Sequence, residues 1–148
     1  MTKSTLTLLV FCVLGSIGSS APNSEASTKD AMVRVPLENY LKGHATGDGE
    51  YMRKAFHANA RIMGIRESKL TVWTVEEYVR LFPGKADPEE PKRKRRIKSV
   101  EVTGDAAIAK LVFDYPQSAI TDYMLLLRID GEWKIVDKIY QGQRRARK

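Results

Sequence analysis

Several side chains in this sequence are of the types, and in the settings, that could hold or transform a small molecule: Tyr40, His57, Trp73, Asp114 and Asp122. Asp122 alternates with Met124 and Leu126 along an apolar strand face. Burial there disfavours the carboxylate and can hold the group as a proton donor. Placed in the turn after Pro116-Gln117-Ser118, the same residue would be a solvated, locally bonded acid. His57 follows Phe56 at the end of a short helical pattern. An imidazole suits proton transfer near neutral pH, and a helix C-terminus also favours it for its dipole alone. Tyr40 lies on a helical apolar stripe, where a phenol is either a ligand contact or a core residue with a satisfied hydroxyl. Asp114 shares a strand face with Val112 and can point into a pocket, whereas Asp137, between Ile135 and Ile139, reads equally as a paired structural charge. Trp73 offers a flat apolar wall, although Trp73 and Trp133 are the kind of residue that fills cores. Tyr40, His57 and Asp122 are therefore the candidates for chemistry, and Trp73 and Asp114 join them as candidates for ligand contact.

Other chemistries lack their residues. Two histidines, His44 and His57, and one cysteine, Cys12, make no metal-ligand set, and no cofactor is expected. There is no Gly-x-Ser-x-Gly elbow and no Gly-Lys-Ser or Gly-Lys-Thr phosphate loop. Gly47-Asp48-Gly49 is too short for a dinucleotide fingerprint and follows a helical pattern, not a strand.

The elements that must position these groups occupy one domain, since 148 residues are too few for two ordinary ones. Residues 1–20 read as a secretory signal: Lys3, an apolar run from Leu6 to Leu14, then small and polar residues. Cleavage is expected after Gly18, Ser20 or Ala26. Residues 21–31 read as a disordered lead-in of Ser, Ala, Asn and Pro. Val33, Leu37, Tyr40, Leu41 and His44 then follow helical spacing, with Pro36 expected in the first turn. Gly47-Asp48-Gly49 divides that helix from a short second one around Met52, Ala55 and Phe56. Residues 60–66 and 69–73 read as short strands about a Glu67-Ser68 turn. Thr74-Val75-Glu76-Glu77 is a capping box that opens a third helix on the stripe Val75, Tyr78, Val79 and Phe82.

The last third predicts a meander of four strands, about 93–103, 106–115, 119–129 and 132–140, divided by Gly104-Asp105, Pro116-Gln117-Ser118 and Asp130-Gly131. Helices first and a meander last define an α+β protein, with helices packed on one side of an antiparallel sheet. Both faces of the central strands are apolar: Leu111 and Phe113 on one, Ile108 and Val112 on the other, and likewise Tyr123 and Leu125 against Met124 and Leu126. A sheet with one wet face does not look like that. A homodimer through the outer sheet face is the expectation.

The formal charge of +7 points weakly to acidic partners. Lys92 to Lys98 and the basic tail 142–148 concentrate it, but no aromatic run accompanies them and Glu89 and Glu90 lie adjacent. Nucleic acid is not expected as a partner, and no stable membrane anchor is expected after signal cleavage.

Several of these stretches resemble one family. Leu37-Glu38-Asn39-Tyr40-Leu41, Gly47-Asp48, the run Met52 to Ile62 and the close Asp130-Gly131-Glu132-Trp133-Lys134-Ile135-Val136 are similar to the nuclear-transport-factor-2-like superfamily, in particular its putative lumazine-binding and SnoaL-like group. The resemblance spans residues 32–141. It implies a cone-shaped fold, with N-terminal helices closing a strongly curved sheet over a pocket. One enzyme of the superfamily, ketosteroid isomerase, pairs a Tyr and a protonated Asp as an oxyanion hole with a second Asp as base. The resemblance places Tyr40 and Asp122 at the first two positions and leaves Gly64, without a side chain, at the base. The expected function is thus an exported protein binding one small molecule. The alternatives are an isomerase, cyclase or dehydratase using the same pocket with His57 or Asp114 as base, and a polyanion-binding module.

Overall fold

A computed structural model describes residues 24–146, with side chains from residue 31 onward. The signal, its cleavage after Gly18 or Ser20, and the last two residues of the basic tail lie outside the described residues. Helix α1 runs Ser24–Thr46, α2 Glu50–Ala55 and α3 Val75–Val79, with a short 3-10 turn at Glu90–Lys92. The strands are β1 Phe56–Arg66, β2 Lys69–Thr74, β3 Lys94–Thr103, β4 Ala106–Tyr115, β5 Ser118–Ile129 and β6 Glu132–Arg144. They form one sheet in the order β2-β1-β6-β5-β4-β3. All neighbours are antiparallel except β1 and β6, which run parallel, so the sheet is mixed and not purely antiparallel as the meander alone implied.

The segment expected to be a disordered lead-in is helical from Ser24, and Pro36 falls inside α1, not in its first turn. Ala26, Lys29 and Ala31 are good helix formers, and they carry the helix upstream of the proline. Pro36 cannot donate the bond to the carbonyl four residues earlier, but its ring is fully buried, and that apolar contact offsets part of the loss. Val33, Leu37 and Tyr40, at 1% exposure or less, form the stripe that faces the sheet.

Beyond α1, Gly47 adopts φ +70, and a Cβ there would lie 1.9 Å from the Lys85 carbonyl oxygen. Only glycine lets the α1–α2 turn approach the loop after α3, where the Gly84 amide donates to the Gly47 carbonyl at 2.8 Å. The capping box on α3 is complete. Thr74 Oγ1 accepts from the Glu77 amide at 3.3 Å, and Glu77 Oε2 accepts from the Thr74 amide at 2.8 Å. The 67–68 and 130–131 turns each place two successive residues at positive φ, as tight hairpins require.

The inner face of the sheet carries Ala109, Leu111, Phe113, Asp122, Met124, Leu126 and Ile135, all packed under the helices. Three register irregularities interrupt it, one of them between Phe56 and Arg61 where β1 pairs with β6. Lys98 is an extra residue between Ile97 and Ser99 in β3, and Val136 is an extra residue between Ile135 and Asp137 in β6. Such bulges increase local bend and twist. The outer face holds Ile108, Tyr123, Leu125, Leu127 and Ile139 at 40–52% exposure.

Candidate functional site

Under the helices, the curved sheet leaves a cavity of about 200 Å³ lined by Tyr40, His44, Arg66, Trp73, Tyr78, Phe113, Ile120, Asp122, Lys138 and Tyr140. Its floor is ionic. Lys138 Nζ and Asp122 Oδ2 lie 3.2 Å apart, and both side chains are at most 4% exposed. Lys138 also donates to Tyr40 Oη at 2.6 Å and to Tyr78 Oη at 3.3 Å, which uses all three of its protons.

The proton directions follow from this count. Tyr40 gives its only proton to Asp122 Oδ2 at 2.6 Å. Its 3.0 Å contact with Tyr78 is therefore donated by Tyr78. Tyr78 Oη then accepts from His44 Nε2 at 3.1 Å, so the neutral imidazole carries its proton on Nε2. A directed chain runs from His44 through Tyr78 and Tyr40 to Asp122.

The surroundings set the charges. Burial, reinforced by Lys138, Arg95 and Arg93, holds His44 well below the usual imidazole range, so it stays neutral. Burial, then the Asp122 charge, pushes the Tyr40 phenol well above its usual range, and burial raises Tyr78 as well. Desolvation alone would lower Lys138, but its contacts with Tyr78 and Asp122 outweigh that and leave it raised and charged. The ammonium also sits 4.9–5.1 Å from the ring centres of Tyr40, Tyr78 and Tyr140, which adds cation–π attraction. At the mouth, Trp73 and Tyr140 stack with centroids 5.8 Å apart and planes 15° apart, and the Arg66 guanidinium lies 5.8 Å from the Trp73 ring.

Three expected residues are brought together here: Tyr40 and Asp122 on the floor and Trp73 in the wall. Asp122 differs from expectation in role, because its Oδ2 accepts from both Tyr40 and Lys138 and it is not the donor of the cluster. Asp114 is not in the pocket. Strand alternation gives the inner positions of β4 to Phe113 and Tyr115, and Asp114 faces outward, paired with Arg145 at 2.6 Å. His57 is also elsewhere. It is the second residue of β1 and not a helix end. Phe56 takes the inward position, and His57 Nδ1 accepts locally from the Asn59 amide at 3.3 Å. Neither residue can serve as the base in this cavity. Trp133 is a core residue remote from it.

Sequence reasoning missed Lys138, His44, Tyr78, Tyr140 and Arg66. His44 and Tyr78 were visible as members of apolar helical stripes, His44 lying one turn beyond Tyr40. Lys138 and Tyr140 were concealed by the Val136 bulge, because strict alternation from Trp133 and Ile135 puts Asp137 inward. The position near Gly64 is occupied after all: a Cβ there would meet the Tyr140 ring at 2.3 Å.

Among the described residues no group of three or more His, Cys, Asp or Glu side chains converges on a metal-sized site. Two of the six basic residues in the run are paired internally, Arg93 with Asp87 at 2.7 Å and Arg95 with Glu90 at 2.5 Å.

A helix-roofed, strongly bent sheet over one polar-floored pocket defines the nuclear-transport-factor-2-like class. The family model described as putative lumazine-binding matches residues 28–141, and the chain belongs to that family. Two solved nuclear-transport-factor-2-like proteins of unknown function superpose on it. The one from Shewanella baltica is 27% identical, with a TM-score of 0.71, over 79% of this chain and 95% of its own. The one from Silicibacter pomeroyi is 25% identical, with a TM-score of 0.70, over 80% and 98%. Aldolase FrzH of Cladobotryum sp is 24% identical over 124 residues, which is 82% of this chain and 97% of the relative.

Proposed function

We propose that this is an exported protein that binds one small, flat, partly aromatic or carbonyl-bearing molecule in the cavity above Lys138 and Asp122. The observation that carries the reading is the buried ion pair. Withdrawing two charges from water costs several kcal/mol each, and an apolar core of the same volume is often at least as stable. A fully buried Lys–Asp pair at the bottom of an aromatic-walled cavity is better accounted for by recognition than by stability. The rings of Trp73, Tyr78, Phe113 and Tyr140 suit a planar guest. Lumazine, a flat bicyclic dione, is the first compound to titrate, followed by native mass spectrometry of protein purified from its own host. A retained small molecule lost in Lys138→Met supports the reading. No retained molecule, together with no calorimetric response to lumazine or related heterocycles, refutes it. Export rests on the leader pattern and is checked by N-terminal sequencing of the mature protein.

A second reading makes the same pocket catalytic. It is favoured by the convergence of an ammonium and two phenols, and by the name of the aldolase relative. A substrate oxygen would replace Tyr78, the longest of the three Lys138 contacts, and negative charge developing on it would be met by the ammonium. Because Lys138 is held charged, it would act as an electrostatic stabiliser and not as a Schiff-base nucleophile, which requires the free amine. Turnover of a bound ketone that falls by orders of magnitude in Lys138→Met, with no borohydride-trapped adduct, would establish this reading. Binding without product would eliminate it.

We also propose that two copies pair through the outer sheet face, where the exposed apolar side chains of β4, β5 and β6 form one contiguous patch.

A further inference from the structure

Asp122 and Tyr140 are direct partners across β5 and β6, both facing the cavity. Their oxygens do not bond to each other. Asp122 Oδ1 and Tyr140 Oη are both buried and have no protein partner. The groups of the ionic cluster are otherwise saturated: Lys138 has given its three protons, Tyr40 and Tyr78 have each given one and accepted two, and Asp122 Oδ2 has accepted two. Buried polar atoms rarely go unpaired, and those that do point to something the site is built to receive. These two atoms differ in kind. The Asp122 oxygen can only accept, whereas the Tyr140 hydroxyl, whose ionisation burial makes harder, is available to donate.

We infer that the ligand presents a neutral donor–acceptor edge, an N–H or O–H beside a carbonyl as in a lactam, with the donor on Asp122 Oδ1 and the carbonyl on the Tyr140 hydroxyl. The inference rests on the pocket reading above and narrows its ligand class. Gly64 is the positioning residue. The Tyr140 ring lies against its Cα, where any Cβ would come within 2.3–2.7 Å of three ring carbons, and the ring also stacks on Trp73. Both residues line the cavity, and both oxygens are buried at its wall.

Three probes of nearly one shape test this: quinazolinone, with both the N–H and the carbonyl; its N-methyl derivative, with the carbonyl alone; and quinazoline, with neither. Titration calorimetry on the full mature chain should rank them in that order. N-methylation should cost about tenfold or more, as expected for a lost hydrogen bond to a buried carboxylate. Tyr140→Phe, which leaves the ion pair intact, should weaken quinazolinone about fivefold to tenfold and leave quinazoline unchanged. Gly64→Ala, which must push the Tyr140 ring aside, should compress the ranking, while Tyr140→Phe, which keeps the ring in place, separates loss of the hydroxyl from loss of packing. Equal binding of all three probes, or no response of quinazolinone to Tyr140→Phe, overturns the inference while keeping the pocket. Failure of all three to bind at millimolar concentration overturns the pocket reading itself.

Discussion

Lys138 is the residue on which most consequences converge. Lys138→Met removes the counter-charge of a buried carboxylate, and the expected loss is about 3–5 kcal/mol, because an unpaired buried charge costs more than the pair is worth. Adding Asp122→Leu should recover much of that loss, since no charge is then left unpaired. Urea denaturation of the two variants checks both statements. His44 makes the second residue-scale prediction. Burial holds its folded-state value well below the ordinary imidazole value, which is about 6.5 in an unfolded chain. The unfolded chain therefore binds a proton that the folded chain refuses as pH falls below that value. The His44 contribution is fully present above about pH 6.5 and is lost progressively on acidification. His44→Gln should flatten the acid limb of a stability–pH curve between about pH 6.5 and 5; an unchanged limb would contradict the buried neutral imidazole.

At the scale of the elements, α3 delivers Tyr78 to the cavity and spans only Val75–Val79. So short a helix depends on its cap. Thr74→Ala should cost about 1 kcal/mol and should weaken the Tyr78 contacts, readable as a lower urea midpoint with unchanged slope. These elements were legible in the sequence to different degrees. The capping box, the Glu67-Ser68 and Asp130-Gly131 turns and the four meander strands were readable because each rests on local chemistry. The helical run upstream of Pro36 was not, because serine, asparagine and proline near Ala21 outweighed the helix formers that follow. The site was half-legible for a related reason. Tyr40, Trp73 and Asp122 lie on elements with regular period. The β6 strand breaks period at Val136, so the Lys138 and Tyr140 faces could be assigned only once the pairing with β5 was known. Asp114 failed because the inner positions flanking it belong to Phe113 and Tyr115. His57 failed because a strand, not a helix, begins at Phe56.

For the molecule as a whole, the outer sheet face is the feature unaccounted for by its own chain. Leu125 sits near the middle of that face at 50% exposure. Leu125→Lys places a charge in the proposed interface, and light scattering should then report a monomer where the parent chain gives twice the mass. A monomeric parent at micromolar concentration would remove the proposed pairing. The basic run contributes less to long-range attraction than its composition suggests, since Arg93 and Arg95 turn inward onto Asp87 and Glu90. Any polyanion affinity of this run should therefore rest on Lys92, Lys94, Arg96 and Lys98 and fade steeply with added salt.

The parallel pairing of β1 with β6 has a kinetic meaning. Tyr40 and Lys138, in direct contact, are 98 residues apart in sequence, and β2 and β1 cannot join the remaining strands until β6 exists to bridge them. A chain that is still emerging can therefore make the hairpins of β3, β4 and β5 but cannot assemble the ionic floor. Refolding should be slow for a domain of this size, in the millisecond-to-second range typical of non-local topologies. Protection of the β1 amides that pair with β6 from hydrogen exchange should appear later than protection of the β4–β5 hairpin.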